Sequence, residues 1–316
     1  MQQGIVTKST GSWYDVKSAD GKVTKCRIKG KFRINGHKIT NPVAVGDEVQ
    51  WVLEDEEKEV GTIYEILPRK NYVVRQSPRK KHFLHLLASN IDRAILIVTI
   101  ADPDIKLGFI DRFLVMTEPY NIPVTIVVNK ADIYGEDELA YFSYLKAMYT
   151  NIGYDVLLTS NEDGTGIAEL TELLKGKTSL LAGQSGVGKS TLINSIEPDF
   201  DLRTGEISDY TGKGMHTTTF AEMFELSNGG SIIDTPGIKT LAFMHLEVMD
   251  VAHNFRELFI LSEDCKFSDC THRNEPDCAV KDALEKGEIS ESRYENYRQI
   301  LEEIEDQNYW ERHSDV

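Results

Sequence analysis

The residues best placed to do chemistry are Gly183-Gln184-Ser185-Gly186-Val187-Gly188-Lys189-Ser190, spaced G-x-x-x-x-G-K-[ST]. At that spacing the glycines let successive backbone N–H groups turn inward around an anion at a helix N-terminus. The expected strand Ser179–Ala182 before the motif and the helical run Thr191–Ile196 after it supply that setting. Lys189 then reaches the β/γ-phosphate oxygens of a nucleotide and Ser190 ligates the accompanying Mg2+, with Gly183 through Thr191 forming one phosphate site. The chemistry this suggests is phosphoryl transfer, in which Lys189 stabilises the charge that develops. A second cluster, Cys265, Cys270, His272 and Cys278, is spaced C-x4-C-x-H-x5-C. Four soft or borderline ligands in one loop-sized segment make a closed tetrahedral zinc site, and with no open position for water its role is structural. Cys26, alone in an alternating basic strand, reads as core.

A phosphate loop alone leaves the base open. Asn129-Lys130-Ala131-Asp132 follows the apolar run Val124–Val128, and a carboxylate at Asp132 can accept from both guanine N1–H and the exocyclic amine, a donor pair adenine lacks. The tetrapeptide resembles the NKxD guanine-specificity motif of translation-factor-like GTPases, and Thr159-Ser160-Asn161 is similar to their second base-contacting loop. Asp234-Thr235-Pro236-Gly237 resembles the DxxG switch, in which Asp234 would hold Mg2+ through water and the Gly237 N–H would meet the γ-phosphate. All three fall at expected strand ends, where α/β folds bind ligands. Their order is unusual, because the base motif at 129 precedes the phosphate loop at 183 and the switch at 234. That is the order of a circularly permuted GTPase, which domain termini lying close together make physically tolerable.

These residues need elements to hold them. Residues 4–67 read as about five short strands, Ile5–Thr7, Trp13–Val16, Val23–Ile28, Glu48–Leu53 and Gly61–Ile66, broken by glycine turns. That pattern predicts an OB-type barrel, with Trp13, Tyr14, Phe32 and Trp51 as aromatics for nucleic acid and Trp51 better read as core. From residue 91 the runs Ala94–Ile100, Val124–Val128, Val156–Thr159, Ser179–Ala182 and Ser231–Ile233 alternate with helical stretches, the signature of a mainly parallel α/β sheet. After Thr240 the chain turns helical around the Cys/His cluster, and Tyr294, Tyr297, Ile300, Leu301 and Ile304 form a packing stripe. The expected organisation is multidomain α/β: an N-terminal OB-type β-barrel for RNA over 1–70, a circularly permuted P-loop GTPase domain over 71–240, and a C-terminal helical zinc-binding domain over 241–316, a segment with little core of its own.

Charge sharpens the function classes. The net charge of −16 discourages a nucleic-acid partner for the chain as a whole, yet residues 1–82 carry 16 Lys and Arg against 10 Asp and Glu, which leaves −22 for the rest. Lys17–Lys38 holds eight bases against Asp20, and Arg69–His82 holds six bases and no acid. A positive field kept inside so acidic a chain points to an anionic partner. The longest apolar run, Ala94–Ala101, is too short to span a membrane, and the N-terminus lacks signal-peptide character, so the expected location is cytoplasmic and the expected state a monomer.

Permuted motifs, a preceding basic barrel and a following Cys3His segment together resemble the RsgA (YjeQ) family of bacterial small-ribosomal-subunit biogenesis GTPases, over nearly the whole chain. Gly214-Met215-His216-Thr217-Thr218-Thr219 is similar to the family's GxHTTT switch segment, and Glu275-Pro276 precedes the last cysteine. The resemblance implies GTP and GDP as ligands, rRNA of the immature small subunit as partner, hydrolysis there, and release of assembly factors. Ile238 stands after Gly237, where a Ras-like protein has a water-orienting Gln. His216 is therefore the candidate to position water or stabilise charge, and one of Thr217, Thr218 and Thr219 the candidate to complete the Mg2+ shell. Two functions fit: a GTPase timed by the ribosome, and alternatively a nucleotide-gated RNA-binding switch with negligible turnover.

Overall fold

The structure is a computed structural model that describes residues 1–29, 41–55, 59–76, 84–200, 221–234 and 246–313. The N-terminal part of the chain forms strands β1 (Gln2–Ser9), β2 (Tyr14–Ser18), β3 (Val23–Ile28), β4 (Glu48–Asp55) and β5 (Val60–Ile66), with buried and exposed side chains alternating most cleanly in β3. They pair in the order β1-β2-β3-β5-β4, with β1–β4 closing the ring and β3–β5 the one parallel contact among them. This is a five-stranded OB-type barrel. Its interior holds Val6, Tyr14, Val16, Cys26, Val49, Trp51 and Ile63. Gly61 makes room for Trp51, since a Cβ there would stand 2.7 Å from the indole ring and 2.9 Å from the Cys26 sulfur. Tyr14 is core rather than an RNA-facing aromatic: it is 1% exposed and its hydroxyl donates to Asn41 Oδ1.

A hairpin not foreseen from the sequence follows, β6 (Tyr72–Gln76) and β7 (Leu84–Ser89). Charge hid it, because β6 lies within the basic stretch Arg69–His82. Part of that stretch is also internally neutralised. Arg69 donates to both oxygens of the buried Asp47 at 2.6 and 2.7 Å, and Lys70 pairs with Asp92 at 2.8 Å. Val73, Leu87 and Ala88 of the hairpin join the core of the following sheet.

That sheet carries β8 (Arg93–Val98), α1 (Leu107–Thr117), β9 (Val124–Val128), α2 (Glu136–Asn151), β10 (Asp155–Leu158), α3 (Ile167–Leu174), β11 (Thr178–Gly183), α4 (Lys189–Ile196), β12 (Glu222–Glu225) and β13 (Ser231–Asp234). The strand order is β10-β9-β8-β11-β13-β12, parallel except for β12. Successive residues of a strand face opposite sides. Leu96, Val98, Ile126 and Leu180 accordingly pack toward α1 and α2, and Ile95, Ile97, Val127 and Leu181 toward α3 and α4. β12 also pairs antiparallel with β1 at Lys8↔Glu222, so barrel and sheet are stitched into one continuous sheet.

The C-terminal helices are α5 (Val248–Asn254), α6 (Arg256–Ser262), α7 (Ala279–Glu285) and α8 (Glu291–His313). The stripe on α8 is a packing face, with Tyr297, Ile300, Leu301 and Ile304 at most 2% exposed. The expectation of little core in this segment is corrected by the structure. Val251, Phe255, Leu258, Val280 and Tyr297 belong to the same cluster as Phe113 and Leu114 of α1.

Candidate active site

The phosphate loop forms where β11 ends and α4 begins, at the C-terminal edge of the parallel strands, with Gly183, Gly186 and Gly188 all at positive φ. Glycine is required at both ends of the turn. A Cβ on Gly183 would lie 2.5 Å from the Ile97 carbonyl oxygen, and one on Gly188 would lie 2.6 Å from Asn129 Nδ2. Gln184 through Val187 make the turn between them, Ser190 and Thr191 open α4, and the Lys189 ammonium donates to the Gly183 and Gln184 carbonyls at 3.0 and 2.7 Å. The lysine is thus held over its own loop, where an anion would exchange for the carbonyls.

Asn129 ties the base loop to the phosphate loop. It is fully buried, its Nδ2 donates to the Val187 carbonyl at 2.9 Å, and its Oδ1 accepts from Thr159 Oγ1 at 2.9 Å. Ser160 Oγ donates to Asp132 Oδ1 at 2.8 Å, which aims a carboxylate from the β9 end beside the β10 end. Lys130 sits in the left-handed region at φ 68°, a conformation that costs a non-glycine residue roughly 1–2 kcal/mol. Its ammonium donates to the Asp102 carbonyl at 2.5 Å. Sequence motifs gave no sign of Tyr134, whose hydroxyl donates to the Asn129 carbonyl and accepts from the Ile100 N–H at 2.8 Å. Burial pushes the Tyr134 phenol up to about 12, so it remains a protonated bridge at any physiological pH. Asp234 ends β13 in register with Leu181 of β11, one strand from the phosphate loop. His216, Thr217, Thr218 and Gly237 lie outside the described residues.

At the other end of the chain, the ligand atoms of Cys265, Cys270, His272 and Cys278 all lie within 4.8 Å of one another. Zn–S near 2.3 Å and Zn–N near 2.05 Å give a tetrahedron with edges of about 3.8 Å between sulfurs and about 3.6 Å from sulfur to nitrogen. The sulfurs of Cys265 and Cys278 are 3.9 Å apart, and His272 Nδ1 is 3.6 and 3.5 Å from them. The donor set therefore fits one zinc ion, with Nδ1 as the imidazole ligand, and burial lowers the His272 pKa, which favours the neutral ring that ligates metal. Glu275 organises the turn by accepting from Thr271 N and Oγ1, Arg273 N and Asn274 N at 2.6–3.0 Å. Burial raises its carboxyl, but the bonds from Thr271 and the backbone outweigh this and hold it at about 2.

A phosphate loop, a guanine-type base loop and a parallel sheet, met by the chain in permuted order and flanked by a barrel and a Cys3His knuckle, define a circularly permuted GTPase. Residues 66–244 match the RsgA GTPase family and residues 3–63 the RsgA N-terminal domain. The chain is 50% identical to the small ribosomal subunit biogenesis GTPase RsgA 2 of Bacteroides thetaiotaomicron, over 97% of this chain and 98% of that protein. It is also 50% identical to the small ribosomal subunit biogenesis GTPase RsgA of Christiangramia forsetii over the same shares. Among solved structures it is similar to YjeQ from Thermotoga maritima, with a TM-score of 0.75, 36% identity and coverage of 96% of this chain and 98% of that one. YloQ, described as a circularly permuted GTPase, gives a TM-score of 0.72 at 32% identity, covering 97% and 96%. The chain belongs to the RsgA family of GTPases, and is a GTP hydrolase.

Proposed function

We propose that this protein hydrolyses GTP on the small ribosomal subunit during its late maturation, and that hydrolysis times its release. The observation that carries the proposal is the stitch between β1 and β12. The barrel strand pairs with the strand that follows the His216–Thr219 segment by three residues and leads through β13 to Asp234. RNA held by the barrel is thereby linked to both segments that must close on the γ-phosphate.

On the barrel, Lys25, Arg27 and Lys29 are exposed at alternate positions, with Arg27 over the Trp13 ring at 3.9 Å and Lys29 over the Tyr64 ring at 4.4 Å. Cations paired with aromatic faces suit rRNA phosphates and unstacked bases. In the pocket, Asp132 accepts from the guanine edge while Ser160 orients it, Asn129 and Lys130 flank the base, and the N–H groups of Gly183 through Gly188 with Lys189 hold the phosphates. Ser190, one of Thr217, Thr218 and Thr219, and Asp234 through water would hold Mg2+, which would supply charge neutralisation at the β/γ oxygens. The Gly237 N–H meets the γ-phosphate, and His216 positions the attacking water. Cys265, Cys270, His272 and Cys278 hold one structural zinc. The protein works in the cytoplasm as a monomer and displaces other assembly factors.

Co-sedimentation with purified subunits tests the partner. Binding to small but not large subunits, stronger with a non-hydrolysable GTP analogue than with GDP and weakened by salt, is the expected result. Equal sedimentation with both subunits in every nucleotide state would refute it.

A further inference from the structure

The most heavily desolvated charge cluster among the described residues lies away from the nucleotide, where α8 crosses α1. Arg293 is 2% exposed and Asp111 is 0% exposed. The guanidinium donates to Asp111 Oδ1 at 2.6 Å and, by two nitrogens, to Glu257 of α6 at 2.7 and 3.0 Å. Tyr149 OH donates to the same Asp111 oxygen at 2.8 Å, and Asn296 Nδ2 donates to the other at 2.6 Å. Three donors from two helices therefore converge on one carboxylate in α1. Apolar packing against Phe113 and Leu114 fixes where α1 lies but tolerates small slides and rotations. A buried ionic contact with directional bonds fixes register, the best-attested use of such groups.

Register matters here because of where α1 starts. Asp111 stands about one turn from the first residue of the helix, Leu107. The loop leading into that helix, residues 99–106, is the brace of the base loop. Its Ile100 N–H donates to the Tyr134 hydroxyl that in turn holds the Asn129 carbonyl, and its Asp102 carbonyl accepts the Lys130 ammonium. Thr99 Oγ1 donates to the Pro103 carbonyl at 2.6 Å and closes the brace on itself. α8 also carries the knuckle on the same bar: Tyr294 OH donates to the His272 carbonyl at 2.6 Å, and Arg273 grips Glu305 through two bonds of 2.8 Å.

We propose that Asp111, held by Arg293, Asn296 and Tyr149, is a positioning residue for the guanine-binding loop, so that α8 makes the Cys/His knuckle and the base pocket one mechanical unit. It rests on the reading of Asp132 as the guanine-binding carboxylate. A slip of α1 moves the loop 99–106, and with it the peptide from Asn129 to Asp132. Strain passed to the phosphate loop through the bond from Asn129 to Val187 weakens GDP and IDP alike, whereas a displaced Asp132 costs GDP alone its amine contact.

The test is the ratio of IDP to GDP dissociation constants, measured by titration calorimetry. IDP lacks only the exocyclic amine, so the ratio reads the amine contact alone, and a loss of folded protein changes both constants equally. Asp111→Asn can fail to fold because it uncovers a buried arginine, so the decisive variants are Asn296→Ala and Tyr149→Phe, each of which removes a single donor. With a single cooperative urea transition confirming that each variant is folded, we expect the ratio to fall by about fivefold in each. Asp132→Asn is run beside them. If it abolishes the preference for GDP while the two folded variants keep the wild-type ratio, the positioning role is overturned and the base pocket stands. If Asp132→Asn keeps that preference, the base-pocket reading fails and the proposal falls with it.

Discussion

As the proposed guanine ligand, Asp132 has two things to do at once, to accept from Ser160 and to leave lone pairs for the base edge. An amide at that position presents a donor to the guanine amine. Asp132→Asn should therefore weaken GTP by about 10- to 100-fold, from the roughly 1.5–3 kcal/mol of a charge-assisted hydrogen bond, and improve XTP. Competition binding with the two nucleotides checks this, and equal affinities in mutant and wild type would remove Asp132 from the base site. Gly188 is the steric counterpart: its φ of 86° and the 2.6 Å approach of Asn129 leave no room for a methyl group. Gly188→Ala should push Asn129 off the Val187 carbonyl and lower GDP affinity by at least about tenfold, read by fluorescence titration. The phosphate and base motifs were legible because their chemistry demands fixed local spacing. The bond from Asn129 to Val187 spans 58 positions, and Tyr134 belongs to no such spacing, so neither could be read before the chain was folded.

Strands with clean alternation were equally legible, and β3 matched its expected range of Val23–Ile28. The ring closure of β1 on β4 and the parallel pairing of β3 with β5 were not, since strand order is set by tertiary packing rather than by any local pattern. β12 escaped because four residues, Glu-Met-Phe-Glu, are too short to show a period. Within the barrel the tight point is Gly61 beneath Trp51. Gly61→Ala should cost about 1–3 kcal/mol by overpacking, seen as a lower urea midpoint by tryptophan fluorescence; an unchanged midpoint would mean the indole can step aside. The knuckle makes the opposite forecast. Elemental analysis should find one zinc per chain, and stripped protein should keep most of its helical signal, because Phe255, Leu258 and Tyr297 are anchored in the shared core. Collapse of the helical signal on chelation would show that the metal, not the core, holds α5 to α8.

At the scale of the molecule, the chain separates its charge, with +6 over residues 1–82 and −22 over the remainder. The barrel joins the sheet through Lys8 and Glu222, which share a backbone register and a 2.8 Å ion pair, and through Lys17 and Glu225. Each such surface pair contributes at most about 1 kcal/mol, so the joint holds the two parts in register without locking them. Ile238 stands where Ras-like sites carry the side-chain amide that orients water, and the proposed activity accordingly has the small subunit complete the site with His216. The most direct test is single-turnover hydrolysis of GTP by the full-length protein, alone and with saturating small or large subunits. Slow turnover alone, acceleration on the order of a hundredfold by small subunits only, and loss of most of that acceleration in His216→Ala with GTP-analogue affinity retained are the predicted results. Fast hydrolysis by the isolated protein, or full stimulation of His216→Ala, would contradict the account.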